Sequence, residues 1–222
     1  MSEGVLVYCE HSGGRLSSIA AEAIGAGSRI SCELGQQLIA VVIGSEVESA
    51  AKEAVSYGAE KVYLVDNPVF KEYLTDTHLN ALEKVVRELD PVIVLFGQTS
   101  IGKDIAPRLA FRLNTGVTLD CIGLEIDADT KRLLQTKPVY GGNANVVQYC
   151  ESNPQIAAVR IKAMQPAERD ESRNGDIIKF DVDIDPASIR TKLIDRKIEE
   201  TAGIKLEDAE TVIVGGRGIG GP

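Results

Sequence analysis

Histidine is almost missing from this chain: His11 and His78 are the only two among 222 residues. Two isolated histidines cannot supply the clustered ligands of a metal centre, and neither has a nucleophile at a recognisable spacing, so no catalytic residue and no metal site is expected. The four cysteines, Cys9, Cys32, Cys121 and Cys150, are spread too widely for close-spaced metal pairs or a disulfide framework. Cys9 and Cys121 lie inside apolar runs and read as small buried hydrophobes. No run of Lys and Arg occurs and the formal charge is −9. Nucleic acid is therefore not the expected partner, because neutralising phosphates takes concentrated positive charge. An apolar span of ~18 residues is absent, as is a charged-then-apolar leader before Val5, so the expectation is a cytoplasmic protein without membrane insertion.

What is present is a regular alternation of two periodicities. With 44% hydrophobic and 26% charged residues, a chain of this length buries roughly 70% of its unfolded surface without staples. Short runs that are apolar on nearly every residue, over 4–9, 38–43, 61–65 and 91–96, predict strands. Between and after them, 16–34, 46–57, 76–89 and 101–113 carry apolar residues at helical spacing, for example Leu79, Leu82 and Val86 in the third. Strands that are apolar on both faces need helices on both faces, so the fold class is α/β with a doubly wound, mostly parallel sheet.

From Val117 onward the pattern becomes strand-rich, with 121–126, 132–140, 144–150 and 155–161 separated by short turns. Short turns imply antiparallel neighbours, and the segment reads as a meander extending the parallel sheet. Residues 166–190 are charged and weakly periodic, a linker carrying one edge strand over 177–184. Residues 198–208 then lead to a final strand over 211–214. The domain division is an α/β domain over 1–190 and, over 191–222, a linker with the opening of a second domain.

Two glycine motifs invite a nucleotide reading. Gly97-Gln-Thr-Ser-Ile-Gly-Lys103 has the glycine and lysine spacing of a P-loop and lies between a strand and a helix, but the next residue is Asp104, where a hydroxyl should hold magnesium. Read structurally, Ser100 caps the helix and Lys103 is solvated. The second motif, from Gly216 through Gly218 to Gly221, has dinucleotide-binding spacing after a strand, and a flexible tail is the alternative. His11, in Glu10-His-Ser-Gly-Gly-Arg15, is either a base at the carboxyl edge of the sheet or a loop-fixing group. His78, at a helix start, is expected on the surface.

Several segments together resemble one family. The run from Val92 through Gly97, Lys103 and Asp104 to Ala110, then Leu113-Asn-Thr-Gly116 with Asp120, then Pro138-Val-Tyr-Gly-Gly-Asn143, and finally Thr211-Val-Ile-Val-Gly-Gly-Arg-Gly218 are similar to the α subunit of electron-transfer flavoproteins. The opening Val5-Leu-Val-Tyr-Cys-Glu-His11 is similar as well. The resemblance follows chain order along essentially the whole sequence.

This resemblance implies a redox carrier rather than an enzyme of bond chemistry. Such α subunits pair with a β subunit, accept electrons from dehydrogenases such as the acyl-CoA dehydrogenases of fatty acid β-oxidation, and deliver them to a quinone reductase or another acceptor through FAD. The first domain resembles adenine-nucleotide α-hydrolases in fold and serves as a platform for the β subunit. The FAD sits mainly in the second domain, where Gly215, Gly216, Arg217 and Gly218 match the first loop and the arginine helps neutralise the pyrophosphate. The family's later flavin motifs have no counterpart here, so residues 1–222 alone are expected to retain little or no FAD, and the isolated domain could form a homodimer. The rival reading is a stand-alone adenine-nucleotide-binding module of the stress-protein kind, using the His11 and Gly97 loops. A third is a truncated dinucleotide-binding oxidoreductase.

Overall fold

The apolar runs become the sheet and the amphipathic runs cover it. In this computed structural model, which describes residues 4–184, 189–195 and 209–220, the first elements are β1 (Val5–Tyr8), a short hairpin of β2 (His11–Ser12) and β3 (Arg15–Leu16), and α1 (Ser18–Leu34). The hairpin turns on Gly13 and Gly14, at φ 58° and 76°, which suits a two-residue turn needing positive φ twice. There follow β4 (Leu38–Gly44), α2 (Glu48–Ser56), β5 (Lys61–Asp66), α3 (Thr75–Leu89), β6 (Ile93–Gly97) and α4 (Ser100–Arg112). The remaining strands are β7 (Val117–Cys121), β8 (Gly123–Ile126), β9 (Leu133–Val139), β10 (Ala144–Gln148), β11 (Gln155–Val159) and β12 (Asp176–Lys179). The chain divides into two compact units, Met1–Lys192 and Leu193–Pro222.

The main sheet has seven strands in the order β12-β5-β4-β1-β6-β11-β7, and every pairing is parallel. Side chains alternate between its faces. Val5 and Val7 join α1 and α2 in one core, with Ala23, Ile24 and Ala50; Leu6 and Tyr8 join α3 and α4 in the other, with Leu82, Ile105 and Leu109. Each fully buried Val, Leu or Ile contributes about 1.5–3 kcal/mol, so the two layers hold the sheet from both sides. The doubly wound, mostly parallel α/β class expected from the sequence is what forms.

Four details differ from the expectation. The run 121–126 is not one strand: Asp120 takes φ 67°, the β7–β11 register shifts there, and the chain breaks into β7 in the main sheet and β8 in a second sheet. The antiparallel strands make a sheet of their own, β10-β9-β8, rather than continuing the main one. The fourth of them, β11, is parallel and is inserted between β6 and β7. Its five residues are all buried, and such a run needs cover on both faces, which only a sheet interior provides. Last, residues 211–214 form no strand; Ile213 is 96% exposed. The expected edge strand is present as β12 against β5, while the segment 198–208 lies outside the described residues.

Glu22, on the buried side of α1, shows how the return from β11 is anchored. Its carboxylate accepts from the backbone N–H groups of Lys162 (3.1 Å) and Met164 (3.4 Å), and the N–H of Ala167 donates to the carbonyl of Ala21. Gly25 is needed beside it, because a Cβ there would overlap the carbonyl of Gln165.

Candidate functional site

The strand order reverses at β1: the chain first fills the β4–β5 side, then returns to lay β6 on the other. In open α/β sheets the crevice at such a reversal, beyond the carboxyl ends of the strands, is where ligands bind. Here it is formed by Glu10 and His11 after β1 and by Gln98 and Thr99 after β6.

Glu10 is the centre of it. Thr99 Oγ1 donates to Glu10 Oε1 (2.7 Å), and the same Thr99 oxygen accepts from the N–H of Gly102 (2.9 Å), capping α4. On the other side, the hydroxyl and N–H of Ser17, the cap of α1, both reach the carbonyl of Glu10 at 3.0 Å. One residue thus ties together the amino ends of two helices that pack on opposite faces of the sheet. Burial pushes the Glu10 carboxyl up to about 7, against the opposing effect of the Thr99 hydrogen bond.

The P-loop spacing has a steric explanation. Gly97 must be small because a Cβ there would lie 2.5 Å from Ile19, and a Cβ on Gly102 would overlap the Gly97 carbonyl. The glycines let β6 turn sharply into α4, and the Thr99 cap with its bond to the Glu10 carboxyl lies at this turn. The cap is Thr99 and not Ser100, which is exposed; Lys103 is exposed as expected. Asp104 has a structural task. It accepts from Tyr73 (3.1 Å), Thr75 (2.5 Å) and Arg108 (2.9 Å), fastening the start of α3 to α4. Burial would raise its carboxyl, but these donors outweigh that and hold it below the usual range. Asp104→Ser restores the P-loop pattern, yet it is expected to lose about 1–2 kcal/mol of stability in urea unfolding and gain no ATP hydrolysis. Phosphate release above background by that variant would overturn this account.

The two histidines separate. His11 Nε2 donates to the carbonyl of Ile43 (2.9 Å) while its Nδ1 is buried without a partner, so it fixes the hairpin over β4 and Gly44. His78 is not on the surface as expected: it is buried against the rings of Phe70 and Tyr73, and burial pushes it down to about 4. Its position in the first turn of α3 suggested solvent, but that turn is covered by the segment leading into it. Cys9 and Cys121 are buried as expected; burial pushes the Cys121 thiol up to about 12, and both are inert packing groups. At the ends of β7 and β11, Asp120 and Arg160 form a bidentate pair at 2.7 and 2.8 Å.

Two further features concern other segments of the chain. In the second unit, the residues Gly215, Gly216, Arg217 and Gly218 are all exposed, and Arg217–Ile219 forms one 3-10 turn. This loop offers a guanidinium and backbone N–H groups. The second feature is the three-stranded sheet. Leu124, Ile126 and Leu133 are buried in the α1-side core, whereas all five residues of β10 are exposed. Of these Val147 is 59% exposed, and beside them Tyr140 is 84% and Tyr149 53% exposed. α4 ends nearby: Thr115 Oγ1, just after it, donates to the carbonyl of Pro154, and Gly116 abuts Cys150. Phe111, on α4, is 86% exposed.

What these elements define is an open, doubly wound α/β domain with Glu10 and Thr99 bonded to one another in its crevice. The chain belongs to the electron transfer flavoprotein family: the profile of the electron transfer flavoprotein domain matches residues 5–185. It is 41% identical to the electron transfer flavoprotein subunit alpha of Thermoanaerobacterium thermosaccharolyticum over 98% of this chain and 66% of that protein, and 33% identical to that of Megasphaera elsdenii, over 98% and 64%. It is 32% identical to the lactate dehydrogenase (NAD(+),ferredoxin) subunit LctC of Acetobacterium woodii, over 97% and 51%. The chain therefore spans between half and about two-thirds of the length of these relatives. No helix among the described residues is long and apolar enough to cross a membrane.

Glu10, Thr99 and Glu22 were not singled out from the sequence. Glu10 had a visible signal, an acidic residue directly after a central apolar strand. Glu22 had another, an acid on the apolar side of a helix.

Proposed function

We propose that this chain is the scaffold domain of an electron-transfer flavoprotein α subunit, on which a β subunit seats through the antiparallel sheet. The intact α/β pair then takes electrons from dehydrogenases and passes them to a quinone reductase or another acceptor. The observation that carries this reading is β10: five consecutive exposed residues, Val147 among them, with Tyr140 and Tyr149 presented on either side, on a sheet whose other side is built into the core. Apolar and aromatic side chains gathered at one exposed edge are suited to a protein partner. The dehydrogenase donor is supported by a relative that is itself named as a dehydrogenase subunit. The stand-alone nucleotide module is disfavoured, since the Thr99 hydroxyl is engaged by Glu10 and by the Gly102 N–H in the crevice it would use.

The FAD that such proteins carry fits the present residues only in part. Gly215, Gly216, Arg217 and Gly218 are suited to face a pyrophosphate, with Arg217 supplying positive charge and the glycines allowing close backbone approach. A dinucleotide site needs several hundred Å³ of enclosed space with convergent donors, and these residues do not build one. FAD supplies the electron-carrying chemistry when bound; this loop would orient its phosphates, and residues 1–222 alone would not keep it.

The test is co-expression with the β subunit. A stable complex is expected, and Val147→Asp with Tyr149→Asp should weaken it at least tenfold while shifting the Tm of the free chain by no more than about 2 °C, because both side chains are exposed. Elution of the two subunits as separate monomers would refute the platform, and a stoichiometric flavin spectrum on the desalted chain alone would refute the partial site.

A further inference from the structure

The crevice holds more than a filler. Glu10 is bound through its main chain to the cap of α1 and through its side chain to the cap of α4. These helices lie on opposite faces of the sheet, so the residue is a tie across it. Its two connections differ in kind. The Ser17 contacts use the Glu10 carbonyl and do not respond to pH. The Thr99 contact uses the carboxyl group, and the Thr99 hydroxyl that donates to it is also the acceptor for the Gly102 N–H. A change at the carboxyl is therefore passed directly to the first turn of α4.

We infer that Glu10 is a proton-operated clip, which holds the amino end of α4 closed while its carboxyl is neutral and releases it when the carboxyl ionises and turns to water. The physical reason is solvation. The side chain is half-buried beside Tyr8 and Cys9, where a charge is poorly hydrated; the Thr99 hydroxyl favours the ionised form, but it is the one side-chain donor among the described residues and burial outweighs it. An open state in which the carboxylate reaches solvent gains hydration that the closed state lacks.

The elements meeting at this edge carry other charged and titratable groups. Those of β1 and the residue after it are Tyr8 and Cys9, both of whose protons are held more firmly by burial and by the Glu10 charge, so they do not titrate near neutrality. The hairpin contributes His11 and Arg15, with Arg15 paired to Glu53 of α2. α4 contributes Lys103 and the tethered Asp104; Tyr73 and His78 come from the approach to α3 and from α3 itself, and Asp120 with Arg160 from β7 and β11. Burial keeps His78 neutral over this range. His11 directly follows Glu10 in the chain, and it is removed in one arm of the test.

The size of the effect follows from linkage. If the closed carboxyl titrates at about 7 and the open one at the ordinary 4.5, the population of the open state rises roughly tenfold between pH 6 and pH 8. The measurement is amide exchange at Gly102 by NMR, corrected for the intrinsic pH dependence of exchange. The wild-type chain should lose protection about tenfold from pH 6 to pH 8, Glu10→Gln should change less than about twofold, and His11→Gln should keep the tenfold response. The carboxyl carbon of Glu10, observed in the unaltered protein, should titrate near 7. A carboxyl midpoint near 4.5, an unchanged corrected rate in the wild type, or a tenfold response surviving in Glu10→Gln would each overturn the clip.

Discussion

Replacing Gly102 with alanine is expected to remove at least about 3 kcal/mol of folding stability. The added Cβ would overlap the carbonyl oxygen of Gly97, and both atoms are held in place by the backbone of the β6–α4 turn. No side chain can rotate away. Relief requires α4 to shift, which would pull Ile105 and Leu109 out of a fully buried layer and disturb the Thr99 cap. Overpacking a well-filled site costs about 1–3 kcal/mol, with larger values when the obstruction is rigid. Against a total of about 5–15 kcal/mol for a domain, such a loss is easily read in a urea titration. Gly216→Ala provides the contrast: a Cβ there meets nothing within 4 Å, and a change below about 0.5 kcal/mol is expected. A Gly102→Ala protein within 1 kcal/mol of the wild type would show that the turn is wider than described.

The second large effect is in the pH dependence of stability, where Glu10 and His78 oppose each other. Glu10 is an acid whose carboxyl is raised in the folded state, from 4.5 to about 7. Between those values the folded chain holds a proton that the unfolded chain has lost, so stability falls as pH rises through that window. His78 is a base lowered from 6.5 to about 4. Its neutral form is favoured on folding; this contribution is complete above pH 6.5 and is lost as pH falls toward 4. Each shift corresponds to about 3 kcal/mol at full weight, reduced to about 2 for Glu10 by its partial hydration. The two slopes offset between pH 4.5 and 6.5, leaving the wild type nearly flat there. Glu10→Gln is expected to leave a profile that only rises with pH over this range, and His78→Gln one that only falls up to pH 7. Chemical denaturation at half-unit steps distinguishes them. Two variant profiles parallel to the wild type would remove both groups from the account.

The parallel sheet was legible because its strands are apolar without alternation, as in Leu38–Gly44, and the helices because their small and branched residues recur at three and four. Where reading failed, the deciding contact was remote in sequence. β11 has the composition of an interior strand, but its partners lie about 60 and 40 positions earlier, and its short preceding turn suggested an antiparallel neighbour instead. Residues 211–214 have the composition of a strand, but composition does not supply the pairing partner that a strand needs. His78 was misplaced because a first-turn position says nothing of what the preceding segment covers. The glycine-arginine loop is proposed from its resemblance alone, whereas the Glu10 tie depends on two helix caps converging from opposite faces, which no local pattern encodes.

The insertion of β11 between β6 and β7 also sets an order of events during synthesis. β7 leaves the ribosome well before the strand it must lie against, and until residues 155–159 emerge it has no neighbour in the main sheet. The nascent chain therefore waits with the outer side of β6 unpaired, while β8, β9 and β10 can already close on one another through local contacts. An open β6 edge of Ile93, Val94, Leu95 and Phe96 is a sticky template during that interval. Slowed elongation between residues 121 and 160 would prolong it, making this stretch of the message the one in which the pace of translation bears most on the yield of folded protein.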